Sequence, residues 1–192
     1  MRPTPFFFVA VACWWALALA WLPGYFVRLR RRDAPTPYRA WQIVATPLLF
    51  LSFALLFVAR PLALRIAVTP PSTALGVIGD ALAMAGVAFA IWARVTLGRN
   101  WSGLVMMVRE RQGLVQRGPY AIVRHPIYAG ILAAMIGTAL TRGMLASWLG
   151  VAAGLAGVLI RAEIEDRLMA AEFGEAHAAY RKRTRKLIPF VW

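Results

Sequence analysis

Two short polar segments of this sequence carry the side chains whose types and spacing suit chemistry. The first, RGPYAIVRHPIY, covers residues 117–128 between two apolar runs. Its glycine-proline pair predicts a turn, while Pro126 disfavours helical angles at His125 and suits the first turn of a helix. His125 is therefore expected beside the unpaired N–H groups of a helix start, which favour a carboxylate or a phosphate, with Tyr128 one turn away. A histidine that only caps the helix at the level of lipid headgroups is an equally good interpretation of the spacing alone.

The second segment, RAEIEDRLMAAEFGEAHAAYRKR, begins at Arg161 and has the apolar periodicity of an amphipathic helix. Ile164, Leu168 and Ala171 form its apolar stripe. Arg161 and Glu165 are four residues apart, so they share a face of that helix. Taken alone, this pair favours the plain interpretation of a surface ion pair that contributes little to stability.

The elements that must position these side chains are helices in a membrane. The chain has 192 residues, 60% of them hydrophobic, and a mean hydropathy of +0.62, more than a soluble domain of this length needs for its core. A membrane span needs about 20 apolar residues. We therefore predict an all-α integral membrane protein, a single membrane domain with five transmembrane helices at residues 6–27, 41–59, 73–97, 127–141 and 143–160.

The last two spans are predicted to form a helical hairpin. A single helix over residues 127–160 would be about 50 Å long at 1.5 Å per residue, well beyond a hydrocarbon core of about 30 Å. Thr141, Arg142 and Gly143 offer a polar break, and each resulting helix is near or below full spanning length. The amphipathic segment after residue 160 is then expected as a C-terminal helix on the cytoplasmic side.

The charge balance bears on partners and on orientation. The sequence has 22 Lys and Arg against 8 Asp and Glu, a surplus that by itself suits either nucleic acid or anionic lipid. In a protein with several spans, basic loops that set the topology and contact anionic headgroups are the favoured interpretation, so we expect no nucleic-acid partner. With the N-terminus outside, five spans leave few basic residues outside, namely Arg2, Arg60, Arg65 and Arg142. The polar segments 98–126 and 161–192 then both lie in the cytoplasm.

Other features are assigned structural roles. The single cysteine, Cys13, lies in an apolar run, so neither a disulfide nor a cysteine-based metal site is expected, and no metal ligands are predicted. Asp80 is interpreted as a structural acid near one end of the third span, although an acid in a span is a functional candidate by default. The first apolar run is closed by arginines and is interpreted as a retained span rather than a cleaved leader. A small-residue stripe in the third span predicts close helix packing and comprises Gly76, Gly79, Ala83 and Gly86.

Together, the two regions resemble a known family. LGRNWSGLVMMVRERQGLVQRGPYAIVRHPIYAGI, followed by RAEIEDRLMAAEFGEAHAAYRKRTRKLIPF, is similar to the isoprenylcysteine carboxyl methyltransferase family, within the wider group of integral membrane methyltransferases that includes phospholipid methyltransferases. The resemblance covers roughly residues 92–190. It rests on the combination of Gly-x-Tyr, Arg-His-Pro-x-Tyr and a downstream arginine, acidic pair, Phe-Gly and tyrosine, since any one piece alone would be weak.

The resemblance implies S-adenosyl-L-methionine as the cofactor and assigns roles to particular residues. Arg161 matches the arginine that holds the substrate carboxylate, and Glu165 is the other residue placed at the reacting groups. Three positions depart from the family pattern: Gln112 stands where a histidine is more usual, Asp166 replaces the usual second glutamate, and His177 stands where a tyrosine is common. The implied cofactor-binding residues are Gln112, Gly113, Leu114, Val115, Tyr120, His125, Pro126, Ile127, Tyr128 and Glu165.

The leading hypothesis is a membrane methyltransferase that acts on the carboxylate of a lipophilic substrate, such as a prenylated cysteine, which enters from the bilayer. The glycine-rich turn after a strand, with which soluble methyltransferases commonly bind this cofactor, has no counterpart in the sequence. Transfer to an ionised carboxylate is an in-line displacement that needs no general base. Two alternatives remain open: methylation of a phospholipid amine with the same cofactor, and a non-catalytic protein whose basic face binds anionic lipid.

Overall fold

The computed structural model describes residues 5–29, 39–58, 64, 66–70, 72–98 and 113–189. Within these ranges the regular secondary structure is helical, and the described residues form isolated β-bridges but no β-strand. A short 3-10 helix at Gly118–Ala121 precedes the fourth α-helix. The α-helices are α1 (Pro5–Leu29), α2 (Arg39–Phe53, continued by a π-helical turn at Ala54–Val58), α3 (Thr73–Leu97), α4 (Pro126–Arg142) and α5 (Leu145–Arg183).

These helices have the outward-facing apolar surface expected of a protein surrounded by lipid. Among the described residues, large apolar side chains such as Trp15, Phe50 and Val95 are 67%, 72% and 70% exposed, which water would penalise and hydrocarbon would not. In the part of the chain that the structure describes, three helices are long and apolar enough to cross a membrane, at Pro5–Leu22, Thr73–Leu97 and Leu145–Arg183, while Ile43–Phe57 and Pro126–Arg142 are shorter. The all-helical class is therefore confirmed, and the count of five spans stays a prediction.

Glycines bring α3 and α4 into close contact. A Cβ atom added at Gly79 would lie 2.7 Å from the carbonyl oxygen of Gly137, and one at Gly86 would lie 2.7 Å from the backbone nitrogen of Ala134. The relation is reciprocal, since a Cβ at Gly137 or at Gly130 would meet the backbone of α3. Gly79, Ala83 and Gly86 of the small-residue stripe thus pack α3 against α4 backbone to backbone, while Gly76 faces Phe6 of α1, which is the close helix packing that the sequence predicts.

The turn between α4 and α5 lies at the polar break indicated by the sequence. Gly143 adopts a left-handed conformation with φ 64°, and its N–H donates to the carbonyl of Ala139. A side chain there would be strained and would also crowd Thr69, because an added Cβ would lie 2.8 Å from the Thr69 carbonyl oxygen. Helix α5 begins two residues later, so the two helices form a hairpin.

Helix α5 differs from the sequence expectation in where it ends. The predicted last span, 143–160, and the predicted C-terminal amphipathic segment belong to one helix of 39 residues, Leu145–Arg183. Polarity changes near Arg161, but the residues that follow it are good helix formers, so the backbone continues. The helical geometry is interrupted only at Gly174, which has φ 45° and ψ −118°. The two segments thus share a rigid connection, which fixes Arg161 and Glu165 relative to the apolar part.

Candidate functional site

His125 lies at the start of α4, as its neighbour Pro126 predicts. It is the residue that precedes the first helical turn, with φ −120° and no side-chain hydrogen bond to that turn. Its side chain is free to point away from the helix and is buried, with only 7% of the residue exposed. The 3-10 helix before it begins at Gly118, which has a positive φ of 58° that suits glycine.

The imidazole of His125 is held between two adjacent carboxylates of α5. Its Nδ1 lies 3.1 Å from Oε2 of Glu165, and its Nε2 lies 3.0 Å from Oδ1 of Asp166. The Tyr128 hydroxyl donates a hydrogen bond to Oε1 of Glu165. The rings of His125 and Tyr128 stack with centroids 5.9 Å apart. The polar segment before α4 and the acidic pair of α5 therefore form one cluster, although about forty residues separate them in the sequence.

The surroundings of His125 and Asp166 favour the charged forms of these two residues. Burial by itself would lower the pKa of His125, but hydrogen bonds and charge from Asp166 and Glu165 outweigh it and raise that pKa above its ordinary value of 6.5. Burial by itself would raise the pKa of Asp166, but His125, Arg124 and Lys186 hold it well below its ordinary value. A protonated imidazole donates from both ring nitrogens, which matches its two carboxylate partners.

Arg161 lies one turn before Glu165 on the same face of α5 and is 9% exposed. The Tyr128 hydroxyl makes a hydrogen bond with Arg161 as well as with Glu165. Because the single hydroxyl hydrogen is donated to Glu165, the oxygen accepts from the guanidinium. Arg161 and Glu165, whose spacing alone suggests a surface ion pair, are thus buried and half-buried respectively, with the hydroxyl of Tyr128 between the cation and the acid.

The other candidate cofactor residues lie in the segment before α4 and in its first turn. Tyr120 is 9% exposed, its carbonyl accepts a hydrogen bond of 2.6 Å from the Tyr180 hydroxyl, and burial raises the pKa of its own phenol. Pro126 is buried and Ile127 half-buried in the first turn of α4. Gly113, Leu114 and Val115 form an irregular segment before Gln116, which accepts a hydrogen bond from Arg183. Gln112 lies outside the described residues.

Sequence reasoning missed three charged residues of the cluster. Asp166 was noted only as a departure from a family pattern, yet it holds the second nitrogen of His125. Arg124, whose Nε lies 3.4 Å from Oδ1 of Asp166, is signalled only by its position next to His125. Lys186 reaches Asp166 at 3.6 Å, and no local pattern predicts it, because its place depends on the chain returning after α5.

The fold and this site define a class: an all-helical membrane protein with a buried, charged cluster where two helices meet a loop. A model of the phospholipid methyltransferase family matches residues 75–176, just over half of the 192 residues. The protein belongs to this family, which includes the isoprenylcysteine carboxyl methyltransferases. The matched region contains His125, Tyr128, Arg161, Glu165 and Asp166, and members of the family generally use S-adenosylmethionine.

One relative of the protein is named for metal resistance and not for methyl transfer. The chain is 36% identical over 113 residues to the cobalt-zinc-cadmium resistance protein CzcN of Cupriavidus metallidurans. The match covers 56% of this chain and 48% of CzcN. The chain therefore spans about half the length of this relative, and the likeness supports the family without identifying a substrate.

Proposed function

We propose that this protein is an S-adenosylmethionine-dependent membrane methyltransferase that methylates the carboxylate of a lipophilic substrate, such as a prenylated cysteine. The observation that carries the proposal is the arrangement of buried Arg161 with half-buried Tyr128 and Glu165 beside buried His125. The Arg161 guanidinium, which suits an anion, and the Glu165 carboxylate, which suits a cation, lie on either side of the Tyr128 hydroxyl.

The donor set of the cluster fits the cofactor. S-adenosylmethionine carries a sulfonium and an ammonium, for which Glu165 is a half-buried anionic partner with 13% of its side chain exposed. It also carries a carboxylate, and the first turn of α4 has N–H groups without a side-chain cap. The stacked rings of His125 and Tyr128 offer an aromatic wall. When bound, the cofactor supplies an electrophilic methyl group; the residues of the chain bind, orient and exclude water.

The charge of the cluster favours an anionic acceptor. Besides Lys186, which also pairs with Glu163, the described cluster has two carboxylates, Glu165 and Asp166, and three cationic groups, Arg124, His125 and Arg161. This surplus of positive charge stabilises a substrate carboxylate and opposes a substrate ammonium. Arg161 would hold the carboxylate by two parallel hydrogen bonds and direct one oxygen towards the methyl group.

An ionised carboxylate needs no general base, so the cluster has only to position it. Its burial excludes water and lowers the local dielectric, which favours the spreading of charge as a carboxylate approaches a sulfonium. The substrate tail would remain among the apolar helices while its polar end reaches Arg161. We place this end of the molecule in the cytoplasm and the N-terminus outside, with exposed basic residues such as Arg181 and Arg185 against anionic headgroups.

Methylation of a phospholipid amine is the second candidate, and the Tyr128–Glu165 hydrogen bond is the observation that favours it. An ammonium must lose a proton before it can attack, and Glu165 is a carboxylate that could accept one through the hydroxyl. Arg161 would then face a cationic acceptor, which the charge of the cluster disfavours. A protein that only binds anionic lipid has no need of the buried cluster and would show no cofactor affinity.

The experiment measures transfer of a labelled methyl group by the purified protein in lipid nanodiscs. The acceptors are farnesylcysteine, a fatty acid and phosphatidylethanolamine, and the products are treated with alkali. Methyl esters release volatile methanol and methylated amines do not. We expect alkali-labile label on a carboxylate acceptor, and alkali-stable label on phosphatidylethanolamine would support the second candidate instead.

Variants of two arginines of α5 test the role assigned to Arg161. Arg161→Ala should lower the transfer rate by about 100-fold, because the carboxylate loses its orientation. Arg167→Ala is the matched control, since Arg167 is exposed and pairs with Glu163, and its rate should equal that of the wild type. Carboxyl methylation that survives Arg161→Ala would contradict the proposal.

A further inference from the structure

Asp166 is a buried carboxylate that is surrounded by cations. Its side chain is 5% exposed, and its Oδ1 lies 3.0 Å from Nε2 of His125 and 3.4 Å from Nε of Arg124. Its Oδ2 lies 3.6 Å from Nζ of Lys186. The Nε2 atom of His177 is 3.8 Å from Oδ1. Asp166 therefore connects His125 to Arg124 beside it and to Lys186 beyond α5, with His177 of α5 at a longer distance.

The chain after α5 returns to the start of α4 and pairs with it. We call residues 184–187 the C-terminal strap. The backbone N–H of Arg124 donates to the carbonyl of Arg185 at 2.8 Å, and that of His125 donates to the carbonyl of Lys186 at 3.1 Å. The first of these bonds belongs to a parallel bridge between Val123 and Arg185, and the second extends the pairing by one residue.

Side chains reinforce this pairing. The Arg124 guanidinium donates to the carbonyl of Thr184 at 2.7 Å, and Leu187 is buried with 2% of its surface exposed. Lys186 lies 2.9 Å from Oε2 of Glu163 as well as close to Asp166. The strap thus fixes the backbone of His125 and also supplies a cation to the carboxylate that holds its side chain.

We infer that Asp166 and Lys186 are positioning residues of the site, which act with the strap to hold the His125 imidazole so that its Nδ1 faces Glu165. This inference rests on the proposed function, because the purpose of the arrangement is to present Glu165 to the cofactor. Neither residue needs to touch the cofactor or the substrate.

The geometry explains why one carboxylate would not suffice. An imidazole held at a single nitrogen can turn about its Cβ–Cγ bond, and Nδ1 then leaves Glu165. With Asp166 on Nε2, the same turn breaks two charge-assisted hydrogen bonds, each of which contributes about a tenfold preference or more. Arg124 and Lys186 keep Asp166 ionised, and the depressed pKa of Asp166 agrees with that role.

The first test observes His125 directly. The sequence has two histidines, so protein labelled with ¹⁵N-histidine gives two imidazoles, which His177→Gln assigns. In the wild type, His125 should titrate above 6.5, the ordinary value. The charged or titratable groups that act on it are Arg124, Tyr128, Glu165, Asp166, His177 and Lys186.

Asp166→Asn should lower the pKa of His125 and weaken S-adenosylmethionine binding by about tenfold or more. Asp166→Glu keeps the charge and should restore both towards the wild type, which a simple loss of folding would not allow. Equal titration of His125 in the wild type and in Asp166→Asn would overturn the inference. If the wild type binds no S-adenosylmethionine, the proposed function fails, while the imidazole titration still decides the positioning role.

The second test distinguishes the specific contact of Lys186 with Asp166 from a general effect of positive charge. Lys186→Met should weaken S-adenosylmethionine binding severalfold, because Asp166 loses a cation at 3.6 Å. Lys182→Met removes the same charge from an exposed position at the end of α5 and should leave the affinity unchanged. An equal loss in both variants would mean that the strap contributes only net charge, which contradicts the inference.

Discussion

At the scale of single residues, the site depends on one histidine shared by two carboxylates. The sequence predicts His125 at a helix start, and it predicts that Arg161 and Glu165 share a face, because both statements follow from local geometry. It does not predict that Glu165 and Asp166 take one nitrogen each. That pairing depends on the distance between α4 and α5, which no spacing within either segment encodes.

The buried ion pair makes stability depend on pH. The pKa of His125 is raised above 6.5 in the folded protein, so its contribution is full below that value and is lost as the pH rises through the folded pKa. The pKa of Asp166 is lowered from 3.8, so its contribution is present above 3.8 and is lost as the pH falls through its folded pKa. We therefore expect the thermal unfolding midpoint in nanodiscs to be highest under mildly acidic conditions and to fall above about pH 7.

Asp166→Asn provides the control for this dependence. With Asp166 replaced by a neutral side chain, folding raises the pKa of His125 less. The fall in the unfolding midpoint on the alkaline side should therefore become smaller. A midpoint that stays constant or rises between about pH 6 and pH 9 in the wild type would show that His125 is not charged in the folded state.

At the scale of elements, the sequence predicts the helix bounds that local features set, and it misses those that depend on distant parts of the chain. The bounds of α3 and the break at Gly143 follow from apolar length and from a glycine that accepts a positive φ. The continuation of α5 beyond residue 160 does not follow from hydropathy, since hydropathy reports where lipid ends and not where a helix ends. The strap is also beyond local reasoning, because its partners Val123 and His125 lie about sixty residues earlier.

The close contact of α3 and α4 carries the start of α4 and gives a prediction for this scale. Gly86→Val would force a side chain against the backbone of α4 at Ala134 and should destabilise the protein by about 1–3 kcal/mol. Ala85→Val places the same side chain on an exposed part of α3 and should have little effect. Unfolding midpoints in detergent would measure both, and equal midpoints for the two variants would contradict the described packing.

At the scale of the whole molecule, the described residues separate into an apolar exterior and a charged cluster. The helices expose apolar side chains, as a lipid environment requires, while the polar groups of 117–128 and of α5 after residue 160 gather at one end of α4. Family membership agrees with this division, and the resemblance in sequence already indicated it. The sequence does not indicate the acceptor as plainly, because the proposed cofactor cluster suits both carboxylate and amine chemistry, and only the role proposed for Arg161 favours the carboxylate.

The most direct test of the account is the binding of S-adenosylmethionine to the purified protein, measured by calorimetry in nanodiscs. The wild type should bind, and Glu165→Gln, which removes only the charge, should weaken binding by about tenfold or more. Glu172→Gln makes the same change at an exposed position of α5 and should bind like the wild type. A wild type without affinity, or a Glu165→Gln variant that binds as tightly as the wild type, would contradict the assignment of this cluster as the cofactor site.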